Sequence, residues 1–139
     1  MSIQQTDVLY TAVATAENGR DGRVATDDGR LDVMVNPPKE MGGSGAGTNP
    51  EQLFAAGYSA CFQGALGVVA RQEGADVSGS TVTARVGIGR NDEGFGITVE
   101  ISADIPAVDA ATARSLVEKA HRVCPYSKAT RGDITVTLA

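Results

Sequence analysis

The sequence is poor in the residue types that build metal sites and disulfide frameworks. Its 139 residues include two cysteines and one histidine, and Cys61 and Cys124 lie too far apart in the chain to form a CxxC pair. Two cysteines are too few for a disulfide-stabilised scaffold, and a zinc site would lack soft ligands beside His121. We therefore expect no metal and no disulfide framework.

The sequence also lacks basic runs and long apolar segments. Twelve lysines and arginines against seventeen acidic residues give a formal net charge of −5, whereas a nucleic-acid-binding protein normally shows a basic patch. The opening segment MSIQQTDVLYTA has no basic start and no apolar stretch of signal-peptide length. No segment is expected to match an apolar run that spans a bilayer. We therefore expect a cytoplasmic protein with no nucleic-acid or membrane partner, in a compartment that keeps thiols reduced.

What is present indicates a single α+β domain over residues 1–139. Alternating and β-branched segments predict strands, and longer periodic segments predict helices. The strands are predicted at 7–16, 31–35, 81–88, 95–105 and 133–138, and the helices at 50–73 and 109–123. The order β-β-α-β-β-α-β, without repeats or a linker, predicts a mostly antiparallel sheet packed on the first helix.

The predicted helix 50–73 is apolar around most of its circumference, so we expect it to be buried on most sides. Asn49 is placed to cap this helix and Gly74 to end it. One sheet can cover only one side, so we expect a homodimer in which the partner subunit packs on the helix. A monomer in which the second helix provides the cover is the alternative.

Cys61 lies at the centre of an apolar arc of this helix. Gly57 and Gly64 in the arc each cost about 1 kcal/mol of helix propensity, which indicates that another group approaches the backbone closely beside Cys61. Packing is the simplest interpretation of a free cysteine. If the two cysteines are a redox pair, Cys124 suits the resolving role, because a helix C-terminus raises the pKa of a thiol. The arc consists of Phe54, Gly57, Cys61, Gly64, Ala65 and Val68.

A reactive Cys61 needs a nearby cation, because apolar surroundings favour the protonated thiol. Arg20, held in the turn segment 17–23, is one candidate, and a solvated turn residue is its alternative interpretation. Arg71 is closer in sequence but lies about 15 Å along the helix axis from Cys61.

Glu51 raises a geometric question, because it too is ten residues from Cys61. In one straight helix it could not touch the thiol. It would serve the same site only if the helix bends near Gly57 or if it comes from a partner subunit. A carboxylate that stabilises the helix N-terminus is the alternative interpretation.

Residues 36–48, NPPKEMGGSGAGT, predict a loop because they contain two prolines and four glycines. No Gly-Lys-Ser/Thr follows, which excludes a Walker motif. A mobile lid over a site and a plain spacer are equally good interpretations of this loop. The lone His121 falls just outside the buried stripe predicted for the second helix, so we expect a surface or boundary histidine.

The chain resembles the organic hydroperoxide resistance branch of the Ohr/OsmC family. The resemblance is carried by GGSGAGTNPEQLFAAGYSACF and AHRVCPYSKATRGDI, with support from NGRDGR near the start and VGIGR and GFGITVE in the hairpin. It implies an OsmC-like fold, an intertwined homodimer with sites at the subunit interface, and no bound cofactor.

The resemblance also implies residue roles in a thiol peroxidase. Cys61 would be the peroxidatic cysteine and Cys124 the resolving one, with Arg20 the catalytic arginine and Glu51 the acid that holds it. Organic hydroperoxides would be reduced to alcohols through a Cys61 sulfenate and a Cys61–Cys124 disulfide, which a dihydrolipoyl group or lipoylated protein would reduce. The apolar walls expected around the substrate include Phe54 and Met41 and favour alkyl or fatty-acid hydroperoxides.

Three other functions stay open at this point. The sister OsmC branch would have similar chemistry and a different role in stress. A non-enzymatic protein whose cysteines sense oxidants, or merely pack, would not consume peroxide catalytically. A carrier of apolar ligands would bind fatty acids whatever the state of its thiols.

Overall fold

The structure, a computed structural model, describes residues 5–139. It is an α+β chain, as predicted, but its strands form two separate antiparallel sheets rather than one. Contacts divide the chain into two compact units, Thr6–Phe54 and Ala55–Ala139. The strands are β1 (Ala14–Glu17), β2 (Gly22–Thr26), β3 (Asp32–Val35), β4 (Thr81–Asn91) and β5 (Gly94–Asp104), and the helices are α1 (Pro50–Glu73), α2 (Ala110–Val123) and α3 (Pro125–Thr130).

The first unit contains the sheet β1-β2-β3, in which β2 pairs with both neighbours. Strand β2 was not predicted, because its first two residues fall in the predicted turn 17–23 and the three that remain are too short a pattern to indicate a strand. The turn itself is confirmed, since Asn18 and Gly19 both have left-handed backbone angles, with φ of 62° and 59°. Asn18 and Gly19 thus reverse the chain between β1 and β2 and place Arg20 in the turn.

The segment 36–48 is a loop, as predicted, apart from a short 3-10 helix at Lys39–Met41. Its two ends are tied together, because the Asn36 backbone N–H donates to the Thr48 carbonyl oxygen at 2.9 Å. Val35 and Thr48 also form an isolated parallel bridge. The loop therefore leaves and returns to the same edge of β3.

Helix α1 begins and ends at the predicted residues. The Asn49 side chain accepts a hydrogen bond from the Gln52 backbone N–H at 2.8 Å, which satisfies one of the free donors of the first turn. Gly74 follows the last residue with φ of 66°, a left-handed conformation that favours glycine at a helix end. The capping residues predicted from the sequence are confirmed.

The buried face of α1 differs from the predicted arc. Val68 is 41% exposed, Gly64 is exposed and Cys61 is half-buried, so Cys61 lies at the edge of the packed face and not at its centre. Because α1 is apolar nearly all round, its composition does not determine which side its own chain covers. The buried residues are Tyr58, Phe62, Ala65, Leu66, Val69 and Ala70.

The expectation that no segment matches a membrane-spanning run is also wrong for α1. Its 24 residues include a window with mean hydropathy 1.5, long and apolar enough to cross a bilayer by length and composition alone. One such helix is weak evidence for a membrane protein, because the core helix of a soluble domain passes the same test.

In the second unit, β4 and β5 form the predicted hairpin. The register runs from Thr81 opposite Asp104 to Asn91 opposite Gly94, so two residues make the turn. Along β4 the exposed and half-buried residues alternate, as expected for a strand with one solvated face.

Helix α2 is confirmed, and Asp109 caps it by accepting a hydrogen bond from the Thr112 backbone N–H at 2.7 Å. Leu116 and Ala120 lie on its buried stripe, whereas Val123 is 45% exposed. Pro125 follows the end of α2 and begins α3, a helix that was not predicted from the sequence. A proline suits the first position of a helix, because its missing N–H would have no partner there.

Of the two strands predicted near the chain ends, one is confirmed in part and the other is wrong. Residues 14–16 of the predicted strand 7–16 lie in β1, whereas residues 7–13 belong to no strand, and residues 133–138 belong to no helix or strand. Both segments expose apolar side chains, with Leu9 98% and Leu138 93% exposed. A strand needs a neighbouring strand to bond its backbone, and an alternating pattern alone does not supply one.

Candidate functional site

The two thiols lie side by side in the second unit. The Cys124 Sγ–H donates to Cys61 Sγ at 3.8 Å. Cys61 is half-buried on α1, whereas Cys124 is fully buried between α2 and α3. A disulfide has an S–S length of about 2.05 Å, so the sulfurs would need to approach by roughly 1.8 Å to bond.

Cys124 occupies the corner at which α2 ends and α3 begins. Its backbone N–H donates to the Ala120 carbonyl at 2.8 Å, and its carbonyl accepts from the Lys128 N–H at 3.0 Å. It is therefore the C-terminal cap of α2 and the N-terminal cap of α3. Because Pro125 fixes the start of α3, the sequence CP sets the bend that carries the Cys124 side chain to α1.

The environment of Cys61 favours the neutral thiol. Burial raises the pKa of the Cys61 thiol, and the adjacent Cys124 raises it further. The Tyr126 backbone N–H acts in the opposite direction, because its hydrogen bond to the sulfur lowers the same pKa. Burial is the largest of these effects, so these neighbours alone do not make Cys61 a thiolate at neutral pH.

A tyrosine ring explains one of the two glycines beside Cys61. A Cβ built on Gly57 would lie 2.7 Å from Tyr126 Oη and 3.1 Å from two atoms of its ring. The expected close approach is thus confirmed at Gly57. It is wrong at Gly64, where a Cβ would have no atom of the described chain within 4 Å.

A hydrogen-bond network that the sequence analysis missed lies next to the thiols. Tyr58 Oη bonds to Ser127 Oγ at 2.7 Å, and His121 Nδ1 bonds to the same oxygen at 2.8 Å. Ser127 is fully buried, whereas His121 is exposed, in agreement with the predicted surface position. The segment VCPYS contains Ser127, but no local pattern links it to a tyrosine 69 residues away.

In the first unit, Arg20 and Glu51 form an ion pair. Arg20 Nη1 donates to both carboxylate oxygens of Glu51, at 2.7 and 3.1 Å. The Glu51 side chain is 12% exposed and that of Arg20 is 49% exposed. The turn that holds Arg20 is fixed by Asp21, whose carboxylate accepts from Asn36 Nδ2 at 2.7 Å. The two residues that the resemblance couples are therefore in contact.

The remaining candidate residues have separate positions. Met41 ends the 3-10 helix of the loop and is 41% exposed, and Phe54 lies half-buried in the second turn of α1. Arg71 is in the last turn of α1. Among residues 5–139, no three histidine, cysteine, aspartate or glutamate side chains are arranged to hold a metal ion.

Comparisons with known proteins agree on one family. The family model for OsmC-like proteins matches residues 42–139. An organic hydroperoxide resistance protein of Xanthomonas axonopodis pv. citri is 54% identical over 133 residues, covering 94% of each chain. The Bacillus subtilis protein OhrB, an organic hydroperoxide resistance protein, is 44% identical over 132 residues, which cover 94% of this chain and 96% of OhrB.

Solved structures show the same likeness. The crystal structure of an organic hydroperoxide resistance protein from Elizabethkingia anophelis matches with a TM-score of 0.85 and 51% identity, covering 94% of this chain and 95% of that one. The structure of OhrB from Bacillus subtilis matches with a TM-score of 0.82 and 43% identity, covering 94% and 98%.

Proposed function

Because the chain belongs to the organic hydroperoxide resistance branch of the OsmC-like family, we propose that it is a thiol-dependent peroxidase for organic hydroperoxides. The observation that carries the proposal is the contact of Cys61 with Cys124 at 3.8 Å. A cysteine pair at this distance can form a disulfide after a small movement. The whole chain, residues 1–139, is proposed to act as one Ohr/OsmC-like domain in the cytoplasm, where cycling thiols can be kept reduced.

In the first step the Cys61 thiolate attacks one oxygen of the hydroperoxide. The O–O bond breaks, the alkoxide leaves and takes up a proton to give the alcohol, and Cys61 becomes a sulfenic acid. Arg20 would stabilise both the thiolate and the charge that develops on the leaving oxygen. Glu51 would orient the guanidinium through the ion pair described above.

In the second step Cys124 attacks the sulfenic sulfur of Cys61. An S–S bond forms, the S–O bond breaks and water leaves, which protects Cys61 from further oxidation. A dithiol of the dihydrolipoyl type then reduces the disulfide by exchange and is itself oxidised to its cyclic disulfide. No metal or bound cofactor takes part in the proposed cycle.

Substrate selection would depend on apolar contacts. Phe54 and Met41 are proposed to contact the alkyl or fatty-acid chain of the hydroperoxide, because each buried methylene contributes about 0.8 kcal/mol to binding. Hydrogen peroxide has no such chain, so it would be the poorer substrate.

The proposal includes a homodimer. The exposed apolar side chains of segments 7–13 and 133–138 support it, because such surfaces on a small domain usually mark an interface. Each segment has a strand-like sequence and lacks a described strand partner, so each can pair with a second copy of this chain.

Steady-state reduction of tert-butyl hydroperoxide tests the function. With dihydrolipoamide the wild type should turn over, Cys61→Ser should be inactive, and Cys124→Ser should lose the dithiol cycle. With a monothiol, Cys124→Ser should retain activity, because the monothiol reduces the Cys61 sulfenate directly.

A matched pair of arginine variants tests the proposed cation. Arg20→Ala should lower activity by about a hundredfold or more, as expected when a charge-stabilising donor is removed. Arg30→Ala removes an arginine from another turn of the first unit, where it pairs with Asp28, and should leave activity unchanged. Turnover by Cys61→Ser, or equal activity of the two arginine variants, would contradict the mechanism.

A further inference from the structure

Two contacts join α1 to the corner between α2 and α3, one beside the other. Cys61 meets Cys124 at 3.8 Å, and Tyr58 meets Ser127 at 2.7 Å. Tyr58 precedes Cys61 by three residues, and Ser127 follows Cys124 by three. Residues three apart on a helix share a face, so the hydrogen bond fixes the position of α3 along α1 at the level of the thiols.

A hydrogen bond between His121 and Ser127 links α2 to α3 across Cys124. His121 lies three residues before Cys124 and Ser127 three residues after it, and His121 Nδ1 is 2.8 Å from Ser127 Oγ. This hydrogen bond therefore resists a change in the angle between the two helices. Arg131 adds a second tie, because it donates to the His121 carbonyl at 2.9 Å.

The protons can be placed so that every contact of the network has one donor. His121 Nδ1–H can donate to Ser127 Oγ, the Ser127 hydroxyl to Tyr58 Oη, and the Tyr58 hydroxyl to Thr130 Oγ1 at 3.4 Å. Thr130 Oγ1 in turn donates to the Ser127 carbonyl at 2.9 Å. Since Ser127 is fully buried, its hydroxyl is hydrogen-bonded to protein groups, and each of these bonds contributes about 1 kcal/mol.

We propose that Tyr58, Ser127 and His121 are positioning residues that hold Cys124 within bonding reach of Cys61. They touch neither sulfur in the reaction, and they act by limiting the movement of the corner that carries Cys124. The consequence is a high effective concentration of one thiol at the other. The inference rests on the proposed function for its biological role. The effective concentration itself depends only on the reduced and oxidised forms of the protein, so it can be measured without any peroxide.

The step that the network assists is closure of the disulfide. Cys124 supplies the electron pair, the S–S bond to Cys61 forms, and the hydroxyl of the sulfenic acid leaves as water after taking up a proton. The sulfenic acid made in the proposed first step is the oxidant. Of the two cysteines, only Cys61 takes part in the proposed attack on the peroxide, so the network should leave that step unchanged.

Equilibration with mixtures of reduced and oxidised glutathione tests the inference without any peroxide. The fraction of Cys61–Cys124 disulfide, read from mass after alkylation, gives the effective concentration. Ser127→Ala and Tyr58→Phe should lower it roughly fivefold, the effect expected for one hydrogen bond. Ser59→Ala is the control, since its hydroxyl on α1 bonds only to the Ala56 carbonyl among the contacts found in residues 5–139.

Two variants of the exposed His121 separate positioning from simple stability. Asparagine places its amide nitrogen near the position of Nδ1, and glutamine places it near that of Nε2. His121→Asn should therefore keep an effective concentration near that of the wild type, whereas His121→Gln should lose as much as Ser127→Ala. Equal values for these two variants, or a wild-type value in Ser127→Ala, would overturn the inference.

Single-turnover kinetics keep this inference distinct from the proposed function. With one equivalent of tert-butyl hydroperoxide, Ser127→Ala should release alcohol at the wild-type rate but form the disulfide about fivefold more slowly. Excess peroxide should then convert more Cys61 to the sulfinic acid. A wild type that releases no alcohol would refute the peroxidase proposal, and the glutathione equilibrium would still decide the role of the network.

Discussion

Replacing Gly57 by alanine tests whether Tyr126 packs on α1 as described. The added Cβ would lie 2.7 Å from Tyr126 Oη and 3.1 Å from its Cε2 and Cζ. Carbon atoms in contact are normally about 3.5 Å or more apart. The Tyr126 ring must therefore move away from α1 by several tenths of an ångström.

Two opposing terms determine the expected change in stability. Alanine in place of glycine within a helix stabilises it by about 1 kcal/mol. Overpacking at a well-packed contact costs roughly 1–3 kcal/mol. For Gly57→Ala we therefore expect a net loss of about 0–2 kcal/mol, whereas Gly64→Ala, with open space at the Cβ, should gain the full helix term.

Urea and thermal unfolding of the two variants, compared with the wild type, provide the measurement. Gly64→Ala should raise the unfolding temperature by about 3 °C, and Gly57→Ala should leave it unchanged or lower it. The double variant Gly57→Ala/Tyr126→Ala should show the helix gain again relative to Tyr126→Ala. A Gly57→Ala protein that is stabilised as much as Gly64→Ala would refute the packing argument.

Two further predictions concern the first unit and the proposed dimer. The hydrogen bond from Arg23 holds the pKa of Asp32 below its usual range, so this pair contributes stability above about pH 4 that is lost as the pH falls. In Asp32→Asn, urea unfolding should therefore show a smaller loss of stability on acidification than in the wild type. The same dependence of stability on acid pH in both proteins would contradict this prediction. The Val136 side chain is 76% exposed, and Val136→Lys should raise the dissociation constant of the dimer, measured by sedimentation, by tenfold or more. Thr137→Lys, on the opposite face of the segment if it pairs as a strand, should leave this constant unchanged. Equal sedimentation of the two lysine variants would argue against pairing through this segment.

Local signals in the sequence were sufficient to predict the helices and strands whose ends are marked by capping or turn residues. Asn49 and Gly74 mark the ends of α1, and Asp109 marks the start of α2, because caps and stops act within one turn. The β4–β5 hairpin was predictable for the same reason, since its alternation and its turn lie within one continuous segment.

Features that depend on distant partners could not be predicted in this way. The apolar composition of α1 was clear, but the side that packs is decided by elements far along the chain, so Val68 was placed on the wrong face. The strand-like segment 133–138 has the right side chains and no neighbour within the described residues. The bond between Tyr58 and Ser127 joins two hydroxyl groups with no sequence pattern in common. By contrast, the cysteines were identified through family resemblance and not through spacing.

The residues through which α1 contacts the α2–α3 corner are far apart in the sequence, and this separation affects how the chain folds during synthesis. Tyr58 and Ser127 are 69 positions apart, and the thiols are 63 apart, so neither contact can form until α2 and α3 have also left the ribosome. The strands of the first unit pair with neighbours close in sequence and can assemble early. During the interval between these events α1 is an uncovered apolar segment, and transiently exposed apolar surface of this kind is prone to aggregation.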